Sequence, residues 1–253
     1  MRPVTPLAVL VGELAALGRE QPSPRLTRAL ALASGLEDYL SAMTTAESER
    51  LAAVAERTAR HVWAHSPDAV ATLEPEMLSG HVEGQLLKFL VAVSGARRVL
   101  EIGTFTGYSA LAMAEALPAG GHVITCEADP RAAEFARAAF DGCDRITLAP
   151  GPALETLDRL ARQGAMFDFA FIDADKTQYW AYLDTAYRRG LLAPGAVVVV
   201  DNTLYQGEVY LDARHRSAQG AAIAEFNARV AAHPSFEQVL LPLRDGVTLI
   251  RVP

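Results

Sequence analysis

With 253 residues, 51% of them hydrophobic and 21% charged, the chain has the balance of an ordinary water-soluble protein and the length of one large α/β domain. A formal charge of -7 argues against a broad nucleic-acid surface and favours small substrates, and no apolar run approaches the ~20 residues of a membrane span. Cys126 and Cys143 stand in no C-x-x-C spacing and read as reduced thiols in or near the core, which points to the cytoplasm.

Residues 1–45 read as helical pieces punctuated by Pro3, Pro6, Pro22 and Pro24, an extension ahead of a single domain over 46–253. Arg2 and the apolar run Leu7 to Val11 resemble the start of a signal peptide, but Glu13 interrupts the run and no cleavage site follows. From Ala46 to about His65, Leu51, Val54, Ala55, Thr58 and Val62 recur at helical spacing and predict an amphipathic helix over one sheet face. Met77 to Leu87 is a small-residue turn opening a helix that runs to Val93 and can fold over a cofactor. His81 within it reads as a structural histidine and not as a base.

Val99-Leu100-Glu101-Ile102 reads as a buried strand that breaks through Gly103 and Gly107 into a helix continuing to Ala114. Elements then alternate: strand His122 to Glu127, helix Pro130 to Phe140, strand Arg145 to Leu148, helix Leu154 to Arg162, strand Phe167 to Ile172, helix Lys176 to Arg189, strand Ala196 to Val200. Such alternation gives a parallel sheet with helices on both faces. A helix from Ser217 to Ala232 precedes two strands, Phe236 to Leu241 and Val247 to Val252, joined through the hairpin signal Asp245-Gly246. The expected architecture is α/β and Rossmann-like, a seven-stranded, mostly parallel sheet with a C-terminal antiparallel hairpin that sets one antiparallel strand near an edge.

Strand-to-helix glycine turns aim unpaired backbone N–H groups at a ligand above the sheet. Counting from Gly103, the G-x-G-x-x-G pattern of dinucleotide sites is broken by Phe105 and Tyr108, so a cofactor without phosphates fits better. Glu101, at the end of the first strand, needs donors such as the ammonium of an amino acid. Glu127, at the end of the second, suits a ribose diol. A phosphate-free ribose with an amino-acid tail describes S-adenosylmethionine.

Two further strands end in Asp173-Ala174-Asp175-Lys176 and Asp201-Asn202, on the same edge of a parallel sheet. Asp173, Asp201 and Asn202 are either helix caps or three hard oxygen donors suited to Mg²⁺, Mn²⁺ or Ca²⁺. Lys176 is one of two lysines, with Lys88, among 23 basic residues. Lysine, unlike arginine, can lose its proton, so Lys176 reads as a general base or else as a solvated surface residue.

Glu101-Ile-Gly-Thr-Phe-Thr-Gly-Tyr-Ser109, Phe171-Ile-Asp-Ala-Asp-Lys176 and Asp201-Asn-Thr-Leu204, in this order, resemble the metal-dependent class I O-methyltransferases typified by the catechol and caffeoyl-CoA enzymes and their bacterial relatives. The resemblance runs from about Met77 onward. It implies a metal on Asp173, Asp201 and Asn202, with Lys176 as base beside Asp173. It implies a methionine end on Glu101, Gly103, Thr104 and Ser109, with Asp175 close by, the ribose on Glu127, Ser79 near the cofactor carboxylate and Ala153 near the adenine. It further implies a hydroxylated aromatic acceptor and a homodimer. Tyr205 stands where relatives often carry tryptophan, which leaves the acceptor open. Methylation of hydroxylated uridine in tRNA, a nicotinamide-dependent oxidoreductase and a non-catalytic cofactor-binding scaffold are the competing readings.

Overall fold

The computed structural model describes residues 5–63 and 72–253. Among them the strands are β1 (Arg98–Ile102), β2 (His122–Glu127), β3 (Ile146–Pro150), β4 (Phe167–Ile172), β5 (Leu192–Val200), β6 (Glu237–Leu241) and β7 (Val247–Arg251). The helices are α1 (Pro6–Glu20), α2 (Pro24–Met43), α3 (Glu49–Arg60), α4 (Gly80–Ser94), α5 (Tyr108–Ala116), α6 (Pro130–Ala139), α7 (Ala153–Arg162), α8 (Tyr179–Arg188) and α9 (Ala218–Ala232). None of them is long and apolar enough to cross a membrane.

The strands form one sheet in the order β3-β2-β1-β4-β5-β7-β6. β7 is antiparallel to both β5 and β6, so β6 runs with the parallel strands and the expected single antiparallel strand lies one in from the edge. Alternate residues of a strand face opposite sides. Leu100, Ile102, Ala170, Ile172, Val198 and Val200 enter a core with α7, α8 and α9. Val99, Phe169, Phe171 and Val199 enter a second core with α3, α4, α5 and α6. Each fully buried leucine or phenylalanine there contributes roughly 1.5–3 kcal/mol. Strands buried on both faces are what continuous apolar runs such as Phe169-Ala170-Phe171-Ile172 specify.

Residues 1–45 contain two capped helices. Thr5 and Ser23 accept from Ala8 N–H and Leu26 N–H, and Pro6 and Pro24 stand in the first turns. Neither helix has a buried residue. His81 is structural as read. Its Nδ1 lies 3.1 Å from Ser41 Oγ at the end of α2, and its Nε2 lies 2.7 Å from the Thr45 carbonyl oxygen.

Three of the boundaries that differ from expectation have a visible cause. The helix expected to reach His65 ends at Arg60; His65, like Pro3 and Arg2, lies outside the described residues. Val62 is 87% exposed, whereas the rings of His61 and Trp63 pack on Phe135 with centroids 5.2 and 5.6 Å away, so aromatic packing turns the chain out of the helix. β5 begins at Leu192 rather than Ala196, because Leu192 pairs with Phe167 before a register shift. The helix expected from Lys176 opens as a 3-10 turn over Lys176–Gln178, capped by Asp175, and becomes α-helical at Tyr179.

Candidate active site

The carboxyl ends of β1, β2, β4 and β5 share one edge, and each carries a residue expected to act. At the end of β1 the backbone of Gly103 takes φ 99, and a Cβ there would lie 1.8 Å from the Asp173 carbonyl oxygen. Only glycine lets the two strand ends close to the spacing at which Asp173 N–H donates to Ile102 O at 2.8 Å. The following turn passes through Phe105 at φ 47 and Gly107 at φ 90 into α5.

Glu127 is held by that turn. Its Oε2 accepts from Phe105 N–H at 2.7 Å and its Oε1 from Asp129 N–H at 2.8 Å. Glu101 is 0% exposed. The Thr125 hydroxyl donates to its Oε2, while its Oε1 has no hydrogen-bond partner among the described residues. Burial pushes the Glu101 carboxyl up to about 8, against the nearby hydroxyls of Ser109 and Thr125. The Thr104 hydroxyl pairs with that of Thr125, which links the turn to the same group.

Ser79, Gly103, Thr104 and Ser109 line a common pocket, which Asp173 borders as well. Ala153 opens α7 just past β3, and β3 pairs with β2 through Glu127 and Pro150, so it stands on the Glu127 side of the sheet edge. Asp175 stands apart. It is exposed, and its oxygens accept from the Thr177 N–H and hydroxyl and from Gln178 Nε2.

The acidic set gathers at the ends of β4 and β5. Lys176 Nζ donates to Asp173 Oδ1 at 2.7 Å. Asp201 is 5% exposed, accepts from Asn202 N–H at 2.6 Å, and has its carboxyl raised by burial and then by Asp173 alongside. Asn202 has φ 59, the left-handed region, and its Nδ2 donates to Asp245 Oδ2 at 3.2 Å. Burial works against the Lys176 ammonium, but the Asp173 carboxylate foremost, with Tyr179 and Asp201, outweighs it and holds the group well above the usual lysine range. The deprotonation that burial alone would favour is therefore reversed while both carboxylates face this ammonium. Among the described residues no group of three His, Cys, Asp or Glu is placed to hold a metal ion. A set whose third donor is the amide of Asn202 falls outside such a group by its chemistry.

Three residues of this region were missed in the sequence. Glu83 on α4 is 1% exposed, with neither carboxylate oxygen hydrogen-bonded among the described residues. Burial and the neighbouring Asp201 raise its carboxyl, and Arg244 Nε at 3.4 Å partly offsets them. Arg244 also donates through its Nη2 to the Leu78 carbonyl oxygen, which ties the β6–β7 turn to the segment lining the pocket. In the sequence Asp245 is only half of a hairpin signal. Nothing local marks Glu83, but a carboxylate in a tight turn at a carboxyl edge was a signal available for Asp245.

The sequence model of a family described as O-methyltransferase matches residues 42–252. The chain belongs to the O-methyltransferase family. The match extends the resemblance back from Met77 to take in α3, and the enzyme class expected from the sequence, S-adenosylmethionine-dependent O-methyl transfer, is that of the family. Among its relatives, O-methyltransferase ankF of Aspergillus thermomutatus is 38% identical over 191 residues, 70% of this chain and 79% of that protein. Caffeoyl-CoA O-methyltransferase 2 of Zea mays is 35% identical over 216 residues, 81% of this chain and 77% of that one. Among solved structures, the Podospora anserina methyltransferase PaMTH1 bound to SAH superposes with a TM-score of 0.75 at 28% identity, covering 88% of this chain and 95% of that one.

Proposed function

We propose that this family member transfers the methyl group of S-adenosylmethionine to one of two vicinal oxygens of a hydroxylated aromatic small molecule, of the catechol or hydroxycinnamoyl-CoA kind, in a reaction that needs a divalent cation. The observation that carries the reading is that the carboxyl edge of one sheet carries both Glu101, buried with one oxygen unbonded among the described residues, and the set Asp173, Asp201, Asn202 and Lys176. The cofactor supplies a methyl group already activated as a sulfonium. A cation, Mg²⁺ or in its place Mn²⁺ or Ca²⁺, would be held by Asp173, Asp201 and Asn202 and would supply Lewis acidity toward the acceptor oxygens. Two carboxylates and an amide are hard donors that suit such an ion.

Within this reading Glu101 takes the cofactor ammonium, Glu127 the ribose diol and Ser79 the carboxylate end. Gly103, Thr104 and Ser109 shape the methionine cradle, Ala153 borders the adenine, and Asp175 caps the turn that presents Lys176. Lys176 takes the proton from the acceptor hydroxyl once the charge of Asp173 and Asp201 is matched by something other than its own ammonium. The protein acts in the cytoplasm as a homodimer built from one catalytic domain over 46–253 and the helical extension 1–45. Exposed Leu32, Leu36, Tyr39 and Met43, spaced as one stripe of α2, support a partner copy covering that helix.

The test is product mass after incubation with S-adenosylmethionine, Mg²⁺, and either a catechol or its monophenol. A single added methyl group on the catechol, with the monophenol left essentially untouched, is the expected result. Equal rates on the two would overturn the chelated acceptor. A second measurement addresses the cofactor. Glu127→Ala should weaken S-adenosylmethionine binding by about 1.5–3 kcal/mol, roughly 10- to 150-fold, because two ribose hydroxyls lose a charged acceptor. Calorimetry on the folded variant reads this directly, and unchanged affinity would remove the ribose assignment.

A further inference from the structure

Asp245 is buried at 4% exposure in the turn between β6 and β7, which β6, running with the parallel strands, delivers to the active edge of the sheet. Both of its carboxylate oxygens are engaged there. Oδ2 accepts from Asn202 Nδ2 at 3.2 Å, and Oδ1 accepts from Gln206 N–H. The turn and the segment after Asn202 are further bonded through Leu204 N–H to the Asp245 carbonyl oxygen at 2.7 Å and Thr203 N–H to Gly246 O at 2.9 Å. The two segments therefore form one unit.

We propose that Asp245 is a positioning residue that selects the face of the Asn202 amide. The proposal rests on the reading of Asn202 as a cation donor. An amide carries a donor edge and an acceptor edge of nearly the same shape, and only the acceptor edge can face a cation. A carboxylate has acceptors only, so the edge of Asn202 turned toward Asp245 is its NH₂, and the oxygen is left on the other branch. The left-handed backbone of Asn202 and the bonds on either side of it fix where that amide sits. Asp245 fixes which way round it sits.

A specific chemical consequence follows. In Asp245→Asn the new side chain has one acceptor for two donors. If its oxygen keeps the Gln206 N–H, its NH₂ faces Asn202 and turns that amide over, presenting NH₂ where a cation would be held. Adding Asn202→Asp restores complementarity, because the carboxylate at 202 accepts from the new amide with one oxygen and keeps the other for the cation. The doubly substituted chain preserves both hydrogen bonds and exchanges only the site of the charge.

The experiment is titration of the metal-free protein with Mn²⁺, following free Mn²⁺ by electron paramagnetic resonance, with S-adenosylmethionine affinity and a thermal melt measured on each variant. Asp245→Asn should weaken Mn²⁺ about 10- to 100-fold, the usual effect of losing the group that orients a ligand. S-adenosylmethionine affinity should stay within twofold, and the double variant should recover most of the Mn²⁺ affinity. Wild-type Mn²⁺ affinity in Asp245→Asn overturns the proposal. So does a double variant that binds S-adenosylmethionine normally yet holds Mn²⁺ no better than Asp245→Asn does. Should Asp245→Asn fail to fold, the double variant alone decides, since it keeps the hydrogen bonds and is expected to melt near wild type. A wild-type protein that takes up no Mn²⁺ overturns the cation reading itself, and this proposal with it.

Discussion

Protein stripped with EDTA is expected to lose turnover by on the order of 10³-fold or more and to regain it on addition of Mg²⁺ or Mn²⁺. Lewis-acid activation supplies several kcal/mol of transition-state stabilisation, and each 1.36 kcal/mol is tenfold in rate. A chelated acceptor loses its fixed aim at the same time, which compounds the effect. Affinity for S-adenosylmethionine should change little, since the groups assigned to the cofactor, Glu101 and Glu127, are held by Thr125, Phe105 and Asp129 and not by the acidic set. Rates measured before and after chelation, with calorimetry of the cofactor on the same samples, separate the two ligands. Full turnover by the stripped protein would reduce Asp173, Asp201 and Asn202 to local caps and remove Lewis acidity from the mechanism.

Lys176→Met is expected to lower kcat by about 10²- to 10⁴-fold, the range of a positioned general base, while cofactor affinity is kept. The side chains are of similar length, so the change removes the amine and little volume. It also removes the ammonium paired with Asp173 at 2.7 Å, so cation affinity should hold or rise. Raising the pH should partly restore turnover in the variant, because an acceptor hydroxyl that ionises in solution no longer needs a base. The gain with pH is thus steeper in Lys176→Met than in wild type. Lys176→Arg should not rescue the rate at neutral pH, since arginine keeps the charge and cannot take a proton. pH–rate profiles of the three proteins decide the matter, and a fully active Lys176→Arg enzyme excludes the base.

The sequence carried the sheet because its signals are local: apolar runs of five or six residues, polar ends, and helices of regular period between them. It carried the first tier of the site for the same reason, since Glu101, Glu127, Asp173 and Asp201 end runs whose direction the β-α alternation sets. Glu83 was not legible. It sits in a helix turn where an acid looks solvated, and only the packing of α4 over the edge buries it. Asp245 had a strong local meaning as a turn former that hid its second one, and the partner that reveals it, Asn202, is far away in the chain. The end of α3 failed for a related reason, as Val62 fits the helical period while the rings of His61 and Trp63 pull the backbone onto Phe135.

The place of β7 in the sheet bears on how the chain survives its own synthesis. β5 ends in four consecutive valines that pair with β4 on one side and with β7 on the other. The ribosome makes β5 well before β7, and β6, made in between, pairs with β7 and not with β5 in the sheet of the described residues. For that interval a nascent chain holds an apolar strand with one ladder of N–H and C=O groups open, the kind of edge that recruits strands from other molecules. Slow translation or truncation between β5 and β7 therefore prolongs the time that edge stays open and is expected to favour aggregation.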